Sequence, residues 1–215
     1  MPDDTPRIDA VLFDFAGVIT GDPFGAMVSY AIASEIDLAD FAKIAVGLGD
    51  YGAGDHPWHQ LERGEIELAD FDRATAELAR SFGYDSFPTL PVESILADAL
   101  EVRTEMLDLL GELRAGGVGT AIVTNNVKAL GAWRQLADWN ALVDVVIDSC
   151  DVGMRKPEAR IFQHACASLG VEPAHALFLD DMQANVDGAE AIGLTGILVS
   201  DPTVAIESVT RLALR

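Results

Sequence analysis

Asp14 follows the apolar run Ala10-Val11-Leu12-Phe13 and precedes Phe15-Ala16-Gly17-Val18, which sets a lone carboxylate at the end of a strand buried on both faces. An isolated buried charge is costly unless it is paired, hydrogen-bonded or bound to a metal, so Asp14 is the first candidate for catalysis or metal binding. Other polar groups follow apolar runs in the same way: Thr124-Asn125-Asn126 and Asp180-Asp181, with Arg155-Lys156 just ahead of Pro157. Singly, each has a bland reading. Thr124 can be a helix N-cap, Lys156 a solvated charge, the aspartates an acidic turn. Jointly they fit one chemistry. Asp14 and one of Asp180 and Asp181 can share a Mg²⁺, which prefers oxygen ligands and leaves room for a phosphate oxygen. Asp14 then keeps one oxygen free to attack phosphorus. Thr124 and the backbone N–H groups of Asn125 and Asn126, placed at a helix N-terminus, would hold phosphate oxygens, and Lys156 would balance the crowded negative charge.

These residues cooperate only if their strands lie side by side. Five short apolar runs read as buried strands: Ala10–Phe15, Thr120–Thr124, Val143–Ile147, Ala176–Leu179 and Gly196–Val199. Between the later ones lie helical patterns. Leu96 to Leu113 carries Val102, Met106, Leu109, Leu110 and Leu113 at amphipathic spacing, and Pro157 opens another helix that stops at Gly170. Alternating strand and helix implies an α/β fold with a doubly wound parallel sheet, where ligands bind beyond the carboxyl ends of the strands. Residues 21 to 90 break that rhythm with helical patterns at Ala26–Ile36, Leu38–Val46 and Leu68–Phe82 and a Gly-rich loop, Gly47–Gly54, but no convincing strand. They read as an all-helical cap inserted after the first strand, with residues 1–20 and 91–215 forming the core.

The 215 residues are half apolar, enough for a sizeable core, and no apolar run reaches the length of a membrane span. With 14 Lys plus Arg against 35 Asp plus Glu, a formal charge of −21 argues against partners among nucleic acids and anionic membranes. A cytoplasmic location is expected. An anionic substrate would need local cations, and only Lys43, Lys128 and Lys156 are lysines. Cys150 and Cys166 lack metal-ligand or redox spacing and read as reduced, buried thiols.

The strand ending in Asp14 with Gly17-Val18 after it, Thr124, Arg155-Lys156-Pro157, and Phe178-Leu179-Asp180-Asp181 with Asn185, Gly188-Ala189 and Gly193 together resemble the haloacid dehalogenase superfamily over nearly the whole chain. The helical insertion is similar to that family's small first-class cap, and the Gly-Val pair to the phosphatase group of the soluble epoxide hydrolase N-terminal domain. The resemblance implies Asp14 as nucleophile and metal ligand, Ala16 as a ligand through its backbone C=O, Asp181 as the second carboxylate on Mg²⁺, and Asp180 on a metal-bound water or in the outer shell. A small phosphorylated metabolite would be the substrate.

Ala16 departs from the pattern. Most phosphatases of this family carry a second Asp there as general acid and base, a role whose loss costs about 10²–10⁴ in rate. His56 and His59 are candidate substitutes, and Trp58, Tyr51 and Phe24 candidate pocket residues, although packing is the plainer reading of all five. Ala16 also favours a non-catalytic or weakly active member that binds a phosphorylated ligand or a protein. Asp14-Phe15-Ala16-Gly17 further resembles the first motif of phosphonoacetaldehyde hydrolases, which implies a C–P hydrolase with Lys43 as Schiff-base lysine, although an exposed helical lysine is the plainer reading of Lys43. Dehalogenation needs no metal, and the Asp180-Asp181 pair argues against it.

Overall fold

The five apolar runs form β1 (Ala10–Phe13), β2 (Gly119–Thr124), β3 (Val145–Asp148), β4 (Ala176–Asp180) and β5 (Thr195–Leu198) of one parallel sheet ordered β3-β2-β1-β4-β5. The computed structural model describes residues 7–22, 24–49, 55–92 and 101–214. Successive β1 residues feed opposite cores: Val11 and Phe13 pack with Leu109, Leu113 and Val209, while Ala10 and Leu12 pack with Ile161, Phe162 and Phe178. Helices α5 (Thr104–Ala115) and α10 (Pro202–Ala213) therefore cover one face, and α8 (Ala159–Leu169) with α9 (Gln183–Glu190) covers the other, while the short α6 (Trp139–Leu142) and α7 (Ser149–Val152) flank β3. Phe13 pairs with Ile122 on one side and Leu179 on the other, so the three central strands end together.

The strand ends differ from expectation where the chain chemistry intervenes. β1 stops at Phe13 because the next residues turn in a π-helical loop, Phe15–Ile19, with Gly17 at φ 85°. The helix expected from Leu96 is described only from Thr104; residues 93–100 lie outside the described residues, and Val102 forms an isolated bridge with Thr20. Helix α8 begins at Ala159 with Glu158 as its N-cap residue, and Gly170 ends it in the left-handed region as expected.

Between β1 and α5 lie helices α1 (Phe24–Ala33), α2 (Leu38–Val46), α3 (Pro57–Glu62) and α4 (Leu68–Ser81), and no strand among the described residues. Helix α2 has the expected bounds because both ends are specified locally. The Asp37 carboxylate accepts from the N–H groups of Ala39 and Asp40, and Gly47 stops the helix at φ 69°. Helix α3 was not foreseen; at six residues it is too short to show a period, and the ring of His56 caps it by accepting from Trp58 N–H at 3.0 Å. These helices share a cluster of Ala31, Phe41, Trp58, Leu61, Phe71 and Leu90, joined by Val127 from the segment after β2. Both cysteines are buried and free. Burial raises the Cys150 thiol to about 12 and the Cys166 thiol to about 11, so neither is a ready nucleophile at neutral pH. No described helix is long and apolar enough to cross a membrane.

Candidate active site

Asp14 is the first residue beyond β1, where its N–H donates to Leu179 O at 2.8 Å and its Oδ1 accepts from Phe15 N–H at 2.6 Å. Asp180, the last residue of β4, is fully buried. Between them sits Lys156, 1% exposed, with Nζ 2.6 Å from Asp14 Oδ1 and 2.7 Å from Asp180 Oδ2. Asn185 Nδ2 and Met182 N–H also donate to Asp180, which fixes the carboxylate facing the lysine. Burial works against the charge of Lys156, but the two carboxylates outweigh it and raise its pKa. Asp14 is itself held well above the usual carboxylate range, by burial first and by Asp180 and Asp181 besides, with Lys156 opposing.

Asp181 lines the same cavity, and carboxylate oxygens of Asp14, Asp180 and Asp181 lie within 4.8 Å of one another. Burial, then Asp180, pushes Asp181 up to about 6. Three acids face one lysine, an excess of hard oxygen donors whose crowding and burial disfavour their ionisation unless a cation joins them. That set fits a small divalent cation. Two glycines make the approach possible. At Gly17 a Cβ would overlap Asp181 Oδ2, and at Gly188 one would lie 2.6 Å from Pro157 O, against the loop that carries Lys156.

Thr124, 4% exposed, and Asn125 line the cavity with Ala16. The expected α-helix N-terminus behind them is absent: the chain continues into a 3₁₀ segment, Lys128–Gln135, broken at Leu130. Asn126 N–H donates to Ser149 Oγ at 2.9 Å and so is committed elsewhere, a correction to the phosphate-holding part expected of it. The Asn125 side chain braces the Lys156 backbone in both directions, at 2.8 and 2.9 Å, leaving its backbone as the part that can meet a ligand.

The cavity, about 370 Å³, runs from these residues to α3. Trp58 and His59 line it, Trp58 while also packing in the helical cluster; His56 is buried as the N-cap of α3 and is not among the lining residues, Tyr51 lies outside the described residues, and the Phe24 side chain is likewise not described. Lys43 pairs with Asp40 at 3.9 Å and lies over the Phe82 ring, away from the cavity lining, which removes the placement a Schiff-base lysine requires. Sequence reasoning missed Glu62 and assigned no part to Arg155. Glu62 Oε2 accepts from Arg155 Nε at 2.6 Å and its Oε1 from Trp58 Nε1 at 2.8 Å, while Arg63 reaches Glu158 at 3.1 Å. The helical segment is thus tied to the Lys156 loop by two ion pairs of opposite polarity. Nothing in the local sequence of either partner signals contacts spanning more than ninety residues.

The profile of haloacid dehalogenase-like hydrolases matches residues 8–193. The chain belongs to that family and is a hydrolase. Among curated relatives, acyl-CoA dehydrogenase family member 10 of Mus musculus is 30% identical over 208 residues, 94% of this chain but 19% of its own length. Bifunctional epoxide hydrolase 2 of Rattus norvegicus is 28% identical over 72% of this chain and 30% of its own length. This hydrolase therefore spans less than a third of either relative. Sesquiterpene phosphatase astK of Aspergillus oryzae matches over most of both chains, 27% identical over 89% of this chain and 90% of its own. A solved HAD-like family hydrolase from Porphyromonas gingivalis has 25% identity and a TM-score of 0.68, covering 97% of this chain and 98% of that one.

Proposed function

We propose that this hydrolase is a Mg²⁺-dependent phosphatase of a small phosphorylated metabolite, with Asp14 as the phosphoryl acceptor. The observation that carries the reading is Asp14 at the cavity floor, 2.6 Å from a buried Lys156 and grouped with Asp180 and Asp181. A bound Mg²⁺, held by Asp14, Asp181 and the Ala16 backbone carbonyl with Asp180 in the outer shell, would screen these carboxylates and draw charge from the phosphate oxygens. Thr124 Oγ1 and the Asn125 backbone hold other phosphate oxygens, Asp14 attacks phosphorus, and Lys156 balances the charge on the transferring group. Water then cleaves the aspartyl-phosphate. Residues 21–90 act as the cap that closes the cavity from above.

The lining includes the apolar side chains of Met27, Val46, Leu48, Trp58, Leu130 and Trp133, which supports an organic group of hydrocarbon character on the phosphate. The name of the Aspergillus relative, a phosphatase of sesquiterpenes, supports the same class. Purified protein with Mg²⁺ should release phosphate from acyl and aryl phosphates, and D14N should not; release that survives D14N overturns the mechanism. A second reading rests on Ala16, which lines the cavity with a methyl group and no proton donor: a protein that binds phosphorylated ligands without turnover. Calorimetric binding with Mg²⁺ and no phosphate release across a broad ester panel would favour it.

A further inference from the structure

An in-line displacement places the leaving oxygen opposite the attacking one. Asp14 attacks from the strand ends at the cavity floor, so the leaving oxygen must face the helical segment, where Trp58, His59, Glu62 and Arg155 line the cavity. With Ala16 in the usual acid's position, something on that side has to accommodate the negative charge that develops there. The charged and titratable groups available are few. His59 is held as a neutral imidazole, lowered to about 3 by burial and by the nearby Arg155. Glu62 is engaged by Arg155 and Trp58, and an anion there would oppose the developing charge. Lys156 is already shared by Asp14 and Asp180. Arg155 remains. Its side chain is 14% exposed, its Nε is fixed by Glu62, and its two Nη groups have no hydrogen-bond partner among the described residues.

We propose that Arg155, aimed by Glu62, is a catalytic residue that stabilises the leaving oxygen by charge where the family ordinarily supplies a proton. The proposal rests on the phosphatase reading above. As an Asp14 oxygen bonds to phosphorus, the bond from phosphorus to the leaving oxygen breaks and its electron pair stays on that oxygen. The Nη–H groups donate to the developing anion, which takes its proton from water once free. A guanidinium suits this part because it stays charged at any working pH, and its fork keeps donors for the ligand while Nε holds Glu62. Consequently catalysis depends on how well the leaving group bears negative charge, more steeply than it would with a proton donor at position 16.

The test is a series of aryl phosphates of graded phenol acidity plus one alkyl phosphate, turned over with Mg²⁺ by the wild-type protein, R155M and R155K, each checked by thermal melting. R155M should lose about 10²–10³ in kcat on the alkyl ester, the typical cost of one donor to a developing oxyanion, and less than about tenfold on the most acidic phenol. R155K, which keeps the charge and serves if R155M does not fold, should fall between wild type and that steepened dependence. An equal fractional loss across the series, or a change confined to KM, overturns the proposal and leaves Arg155 as a structural tie. Absence of release by the wild-type protein from every ester, or release surviving D14N, instead overturns the phosphatase reading and the Arg155 proposal with it.

Discussion

At the floor of the cavity Asp14, Thr124 and Lys156, backed by the fully buried Asp180, come from three adjacent strand ends and one loop, and each is 7% exposed or less. At the roof Trp58, His59 and Glu62 ride on one six-residue helix held to the core by the pairs Glu62–Arg155 and Arg63–Glu158. The floor is built by the sheet: register brings the groups together, and both carboxylate oxygens of Asp180 are engaged, so a change there falls first on the chemistry, and on stability as well where it strands a buried charge. The roof is built by a few contacts across a seam. Its residues can change what the cavity accepts while the reacting groups stay in place, which is how one fold serves many substrates.

Variants that attack the floor should have the largest effects. D14N should lower turnover by about 10⁴-fold or more with little change in melting, because it removes the acceptor while keeping the shape; a pre-steady-state assay and a melt check both halves. K156M should also abolish turnover and in addition cost about 3–5 kcal/mol in urea denaturation, since Asp14 and Asp180 would face each other without their shared cation. G17A should cost about 1–3 kcal/mol and weaken Mg²⁺ binding, because its φ of 85° disfavours a side chain and the added methyl displaces Asp181. At the roof, W58F should raise KM for bulky esters by less than about tenfold and cost about 1 kcal/mol, through loss of the 2.8 Å bond to Glu62, with kcat on small aryl phosphates retained. A kcat collapse in W58F would erase the contrast between floor and roof.

The smallest effect is a pH dependence of the roof. Burial lowers His56 from 6.5 to about 4, against the pull of the Lys43 and Ile44 backbones and Asp55. The unfolded chain therefore takes up a proton at higher pH than the folded one. The stability that the neutral ring contributes is intact above about pH 6.5 and is lost as pH falls toward 4. Asp14 and Asp181, raised by burial, pull the other way as pH falls, so the His56 contribution is read as a difference: between pH 7 and pH 5 the melting temperature of the wild-type protein should fall relative to that of H56N.

Legibility followed the same division. Asp14 announced itself because a carboxylate after an all-apolar run conflicts with its surroundings, whereas Thr124, Lys156 and the Asp180-Asp181 pair, each bland alone, became legible through their joint placement beside that strand and the next helix. The parallel sheet was equally legible from its continuous apolar strands. Helix α3, Glu62 and Arg155 were not, because a six-residue helix has no period to read and a charged pair split across 93 positions looks, from either end, like two solvated side chains. The phosphate-holding part expected of Asn126 failed for a related reason: whether a backbone N–H is free depends on Ser149, a residue from another element.

The amino-acid order alone determined which groups stand at the strand ends, that position 16 holds no acid, and that the sheet is buried on both faces, since apolar burial and turn chemistry act over short stretches. Tertiary structure decided that one lysine serves two aspartates, that Asp181 fits only over a glycine, and that the Arg155 guanidinium beside that lysine is held by Glu62 of the roof. Those are distances between segments remote in the chain, and distances exist only once register and packing have closed the fold.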